Sequence, residues 1–287
     1  MGSPIKRDGE VREDRYDFYS HLLDTIKDEG FADFEVDNDV MLLTNRDYDR
    51  LEAAGVLLPT PGNFLEPIFG FSEYPDFRIV SEEDFGFDEP IQLRKTEWFD
   101  MFYDGLTEEG YQFAIGDTSL AGEKLEDYSV LVLSSFDYMG SGLQEKLVGF
   151  MEDGGTVVLG PKIPTLDDRF HEERVLEDRL GDGKDVIVEG EAVARIYEVG
   201  DGRLVQVLEL DMENVRSVLE NVLGDEGVER VYKNDSRLDV KVHRNRENGS
   251  IVLFVANPTE EEIDARVGLD EDFDRVREVW GDRDVDV

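Results

Sequence analysis

Three short apolar runs separated by helical patterns constrain this chain most. Val130-Leu131-Val132-Leu133 and Thr156-Val157-Val158-Leu159 have no polar alternation, and neither does Val40-Met41-Leu42-Leu43-Thr44. A strand with one wet face alternates polar and apolar residues. A continuous apolar run of this length fits a strand buried on both faces. Between the runs lie segments of helical period. One runs from Thr96, read as the cap, through Glu109 to a stop at Gly110. Another runs from Ser141, again read as the cap, to Glu152 and ends at Gly154-Gly155. Tyr111 to Ile115 adds a strand, and Leu120 to Tyr128 a short helix or turn. Apolar strands alternating with amphipathic helices predict an α/β fold, a doubly wound parallel sheet with helices on both faces.

The flanks read differently. Arg12 to Glu29 has Tyr16, Tyr19, Leu22, Leu23 and Ile26 at helical spacing, with Gly30 as the stop. Tyr48 to Ala54 begins a helix. Residues 57 to 95 contain Pro59, Pro61, Pro67, Pro75 and Pro90, and read as an irregular but ordered excursion burying Phe64, Phe69, Phe71 and Phe77. After residue 161 the pattern turns to strands at Val186 to Glu189, Ala192 to Val199 and Leu204 to Leu208, with Gly200-Asp201-Gly202 as a tight turn. Met212 to Leu223 is a helix. Leu238 to His243, Ser250 to Ala256, Glu262 to Val267 and Val276 to Trp280 form a small antiparallel β domain, with a hairpin turn at Arg246-Glu247-Asn248-Gly249. The expected divisions are 1–33, 34–225 and 226–287.

Charge limits the partners. The formal net charge is -40, from 70 acidic and 30 basic residues. Successive fifty-residue blocks hold 14, 11, 9, 13 and 11 acids, and the last 37 residues hold 12. That even spread excludes an acidic tail. A nucleic-acid mimic is usually a short domain with little else in it. Adaptation to concentrated salt is the favoured reading, supported by 21 Arg against 9 Lys, since Arg holds carboxylates with a planar fork. The same charge disfavours nucleic acid and anionic membrane as partners. The amino terminus leads into charge rather than an apolar signal, and no apolar run nears membrane-spanning length, so a cytoplasmic location is expected. Cysteine is absent, which rules out disulfides and thiolate chemistry.

Candidate chemistry is sparse. Ligands of doubly wound sheets bind at the carboxyl ends of the strands. Here that edge carries Asn45, Arg46, Asp47, Asp117, Phe136, Asp137, Tyr138 and Lys162, either a polar pocket or ordinary strand-end loops. Gly160-Pro161-Lys162 lacks phosphate-loop spacing, and Gly200-Asp201-Gly202 opens no helix, so no cofactor is expected. His21, His171 and His243 are the three histidines, and none pairs with another at ligand spacing. Glu172 and Glu173 beside His171 are the neighbours that abundant carboxylates produce by chance. No metal site is expected.

Several segments, in order, resemble the region after the catalytic barrel in β-galactosidases of glycoside hydrolase families 42 and 35. Gly2 to Gly9 with Glu13-Asp14-Arg15-Tyr16 is similar to the turn and helix after the last barrel strand. Asp127 to Leu133, Leu143 to Leu147 and Glu152 to Pro161 resemble the family 42 trimerisation domain, which has an amidotransferase-like, flavodoxin-like fold. Val199 to Val205 is similar to its late hairpin, and Val255-Ala256-Asn257-Pro258-Thr259 to the terminal β domain. The resemblance implies that both catalytic glutamates lie in a barrel. The acid/base glutamate there usually follows an asparagine, and this chain has no Asn-Glu pair and no room for eight βα units before residue 33. No catalytic residue is therefore carried over. The implied role is oligomerisation, as a homotrimer, and shaping the active-site rim of a barrel on a separate partner chain, with carbohydrate bound only in the complete enzyme. The alternative is a stand-alone sugar-binding or structural assembly module.

Overall fold

The computed structural model describes residues 5, 8–36, 38–48, 91–120, 122–188, 190–269, 273, 276–279 and 283–285. Of the irregular excursion expected at 57–95, residues 57–90 with their four phenylalanines lie outside the described residues, and 91–95 are helical instead. The expected helix beyond Tyr48 also lies outside the described residues.

In chain order the elements are α1 (Glu13–Asp28), β1 (Glu35–Val36), β2 (Val40–Thr44), α2 (Ile91–Glu108), β3 (Phe113–Asp117), α3 (Gly122–Leu125), β4 (Val130–Ser135), α4 (Ser141–Glu152), β5 (Thr156–Pro161), β6 (Lys184–Val188), β7 (Glu191–Val199), β8 (Gly202–Val207) and α5 (Met212–Asp225). Then follow β9 (Tyr232–Lys233), β10 (Asp239–Arg244), β11 (Ile251–Ala256), β12 (Val267–Gly268), β13 (Val276–Glu278) and β14 (Arg283–Val285). They form two compact units, Asn38–Arg230 and Met1–Asp37 with Val231–Val287.

The larger unit is built on one seven-stranded sheet of order β3-β2-β4-β5-β8-β7-β6. Five neighbours, β3 to β8, run parallel. β7 and β6 add antiparallel to β8, so the sheet is mixed rather than purely parallel. The reason is local. Gly200 takes φ 62 in a tight turn, which reverses β7 into β8 within a hairpin and leaves no room for a crossover helix. Alternate residues of the apolar strands feed opposite faces. Val130 and Val132 pack with Trp98, Phe102 and Leu106 of α2 and with Val215, Leu219 and Val222 of α5. Leu131 and Leu133 pack with Leu143, Leu147 and Met151 of α4.

Two helix starts differ from expectation. α2 begins at Ile91, five residues before Thr96, because Gln92, Leu93, Arg94 and Lys95 are good helix formers and Arg94 pairs with Glu97 at 3.2 Å. α4 has Gly140 as its N-cap rather than Ser141. The Gly140 N–H is instead taken by the Asp47 carboxylate at 3.0 Å.

In the smaller unit β1 and β11 flank β10 in an antiparallel sheet. β9 pairs with β12, and β13 with β14. Its core is Val231, Leu238, Val240 and Val242. The expected strand Glu262 to Val267 is reduced to its last residue plus Gly268. Glu29 of α1 is ion-paired with Arg277. Among the described residues, no helix is long and apolar enough to cross a membrane.

Candidate functional site

The chain passes from β2 to β3 on one side, then returns to β4 on the other. The crevice between the carboxyl ends of β2 and β4 is where such sheets bind ligands. Here Tyr48 fills it. The residues after β2 turn sharply, because the Asn45 side-chain carbonyl accepts the Asp47 N–H at 3.0 Å. That turn points Tyr48 under the loop after β4, where it is 1% exposed. Its phenol donates to the Tyr138 carbonyl and accepts from the Phe136 N–H, both at 2.8 Å. Its ring meets Phe136 and Tyr138 edge-on at 5.3 and 5.2 Å. Burial pushes the Tyr48 phenol far above its ordinary pKa, so it remains a neutral donor.

The structure places the sequence-derived edge residues as follows. Asp47 accepts from Gly140, and its own carbonyl receives the Tyr138 hydroxyl at 3.3 Å. Asp137 accepts from the Lys162 ammonium at 2.9 and 3.2 Å. The Asp137 carbonyl accepts the N–H groups of Thr165 and Leu166. These four side chains therefore bind one loop cluster across β2, β4 and β5. Arg46 and Asp117 lie on the β3 side of the crevice. The Arg46 N–H donates to Thr118 Oγ1 at 3.1 Å, and Asp117 accepts the Ser119 N–H at 2.6 Å. Asn45 is 4% exposed, and its side-chain amide nitrogen has no hydrogen-bond partner among the described residues.

The chain after β5 roofs this edge. Leu166 bridges to Tyr138, and Phe170 packs edge-on against the Tyr138 ring at 4.9 Å. The turn is held by Asp167, whose carboxylate accepts the N–H groups of His171 and Arg169, each at 2.8 Å. The His171 N–H in particular holds the Asp167 carboxyl below the usual range. Gln144 on α4 pins the same roof from beneath.

Sequence reasoning missed Tyr48, Gln144, Phe170 and Trp98. Trp98 packs on Gly160, where an added Cβ would fall 2.6 Å from the indole and 2.7 Å from the Val207 carbonyl. Among the described residues the buried Trp98 indole N–H has no hydrogen-bond partner. An aromatic residue three positions beyond an Asx turn was the one available signal for Tyr48.

Chemically, the described part of the edge is a set of hydrogen bonds that tie its own loops together. Among the described residues, no group of three or more metal-binding side chains comes together. A groove of about 490 Å3 lies at the opposite, amino end of the sheet, beside Tyr128, Lys146, Phe150, Asp153 and Glu226. Two of its charged groups, Lys146 and Glu226, are engaged. Lys146 donates to the carbonyls of Thr118 and Leu120, and Glu226 accepts from Thr156 and Arg203.

Replacing Tyr48 by Phe keeps the ring and removes the phenol. The buried Phe136 N–H and Tyr138 carbonyl then lose partners, at about 1–3 kcal/mol each. Thermal unfolding in high salt is expected to shift down by several degrees. An unchanged midpoint would show that the crevice is held by ring packing alone.

The architecture is a mixed α/β sheet unit with a separate, smaller antiparallel unit. Over 99% of its length the chain superposes on part of Gan42B, a GH42 β-galactosidase of G. stearothermophilus, with TM-score 0.65 and 12% identity, covering 43% of that chain. On a β-galactosidase from Bacillus circulans sp. alkalophilus the TM-score is 0.63 with 14% identity, covering 99% of this chain and 44% of that one. The family model described as "GLMA-like, second domain" matches residues 80–226, and the chain belongs to that family. An exo-β-D-glucosaminidase of Pyrococcus horikoshii is 34% identical over 111 residues, 37% of this chain and 13% of that protein. The chain thus spans less than half of the solved structures and about an eighth of the curated relative. The resemblance to a family 42-type enzyme read from the sequence holds.

Proposed function

We propose that this chain serves as the non-barrel part of a β-galactosidase-like glycoside hydrolase, assembling the enzyme and shaping the rim of an active site on a catalytic barrel. The carrying observation is the superposition over nearly the whole chain on less than half of a GH42 β-galactosidase. The closed strand-end edge agrees with a scaffold role, since its polar side chains bind their own loops. Assembly is through the sheet-bearing unit as a homotrimer, and carbohydrate is handled by the complete enzyme.

Two measurements test this. Aryl-galactosides and aryl-glucosaminides in high salt are expected to show no turnover with this chain alone. Turnover abolished by substituting one of its own carboxylates would overturn the proposal. Light scattering is expected to give a multiple of three chains, and a mass that is no such multiple would remove the trimer.

A further inference from the structure

The groove at the amino end of the sheet lies wholly within the larger unit. Its walls are α3 with Glu126, the pair Tyr128-Ser129 ahead of β4, the second half of α4, the turn Gly154-Gly155, and Glu226 after α5. Its volume of about 490 Å3 falls within the roughly 300–1,000 Å3 of small-molecule clefts. Glycine keeps it open. Gly149 sits inside α4, where glycine costs about 1 kcal/mol against alanine. Its backbone is not left-handed, and a Cβ added there would meet no atom within 4 Å. Neither conformation nor packing calls for glycine at this position, and what the missing side chain leaves is the groove. Gly122, the first residue of α3, is open in the same way. Gly155 differs. A Cβ there would strike the Phe150 ring, so its bare backbone seats that ring as a wall.

The lining has polar groups to spare. Lys146 and Glu226 are engaged. The Glu126 and Asp153 carboxylates are exposed, and neither has an ion pair or a side-chain hydrogen bond among the described residues. The Tyr128 phenol and the Ser129 hydroxyl are likewise without partners among them. Tyr128 and Phe150 are half-buried and offer ring surface. Ring surface takes the C–H face of a sugar, while hydroxyls and carboxylates take its hydroxyl groups. The two unengaged charged groups are both carboxylates, in a chain of net charge -40, which favours a cation and repels an anionic sugar. An ammonium near an aromatic face gains cation–π attraction as well.

We propose that this groove binds a pyranose bearing an ammonium group, with the sugar face on Phe150 and Tyr128 and the ammonium held by Glu126 and Asp153. The site binds its ligand and makes or breaks no bond. Its lining comes from this chain alone, so it does not depend on a barrel, on assembly, or on the role proposed above.

Calorimetric titration of the chain with glucosamine in high salt is expected to show saturable binding at a single site. N-Acetylglucosamine lacks the charge and is expected to bind about tenfold more weakly, the loss of a hydrogen bond between charged groups. Gly149→Leu puts a side chain into the groove at a position where the helix gains propensity. It is expected to abolish binding without lowering the thermal midpoint. Gly142→Ala, on the same helix but outside the groove, is expected to leave binding unchanged. Glu126→Gln combined with Asp153→Asn is expected to bring glucosamine down to the level of its N-acetyl form. Absence of saturable glucosamine binding, equal binding of the two sugars, or binding unaffected by Gly149→Leu would overturn the proposal. Should Gly149→Leu not fold, the paired carboxylate substitutions, at exposed positions, decide alone.

Discussion

Dialysed from about 2 M to about 10 mM KCl, the chain is expected to lose much of its stability as the screening length grows from a few ångströms to about 30 Å. The argument rests on the 40 uncompensated negative charges, which are spread along the whole chain. Two like charges 10 Å apart in water repel by roughly 0.4 kcal/mol. Each surface carboxylate has several like neighbours at that range, so unscreened repulsion sums to several kcal/mol, against about 5–15 kcal/mol for the stability of a domain. The ion pairs offset only part of it. Arginine supplies most of them, as in Arg174 with Glu172 and Glu177 and Arg237 with Asp235 and Glu261, but these side chains are largely exposed. Exposed pairs contribute about 0–1 kcal/mol each. A loss of about 5 kcal/mol lowers the midpoint by roughly 10–20 °C for a domain of this size. Circular dichroism melts across a KCl series measure it. Equal midpoints at both ends of the series would contradict the salt-adapted reading of the composition.

The parts of the fold that were legible in the sequence are those with local signals. Val40–Thr44, Val130–Ser135 and Thr156–Pro161 are buried strands because their apolar runs need both faces covered. The hairpin at Gly200 and the helix from Met212 were equally local. What was not legible depends on residues far apart in the chain. The smaller unit is assembled from both ends, since Glu35 pairs with Arg244 across the sheet. The sequence divisions at 33 and 226 had treated those ends as separate segments. At the candidate site, the strand-end residues were found from the expected sheet, and they do lie at its carboxyl edge. Their use in closing that edge could not be read. Tyr48 meets its partners about 90 positions away, and no periodicity encodes that contact. The strand expected from Glu262 to Val267 was overread because apolar residues spaced by acids look alternating even where only two residues pair, whereas the strand expected at Val276 is present.

Replacing Gln144 by Leu is expected to be among the most damaging single changes in the larger unit, although it conserves volume and adds apolar surface. Gln144 is fully buried on α4. Its amide nitrogen donates to the Met139 carbonyl at 2.8 Å and more weakly to the Leu166 carbonyl at 3.4 Å. Its side-chain carbonyl accepts the Leu176 N–H at 3.1 Å. One side chain thus ties the loop after β4 to two points of the chain that roofs the carboxyl edge. Leucine satisfies none of these groups. A buried backbone group left without a partner costs about 1–3 kcal/mol, so the two stronger bonds alone imply about 2–6 kcal/mol. The added hydrophobic transfer does not offset this, because the site is already sealed. The local consequence follows from the same bonds. With the Leu176 N–H released, the roof loses an anchor, while β2, β4 and β5 keep their ladders. Hydrogen exchange in high salt should therefore show amides from about 163 to 180 exchanging faster, with the central strands still protected. Unchanged protection across the roof in Gln144→Leu would mean that the Tyr138, Phe170 and Asp167 contacts hold it without this side chain.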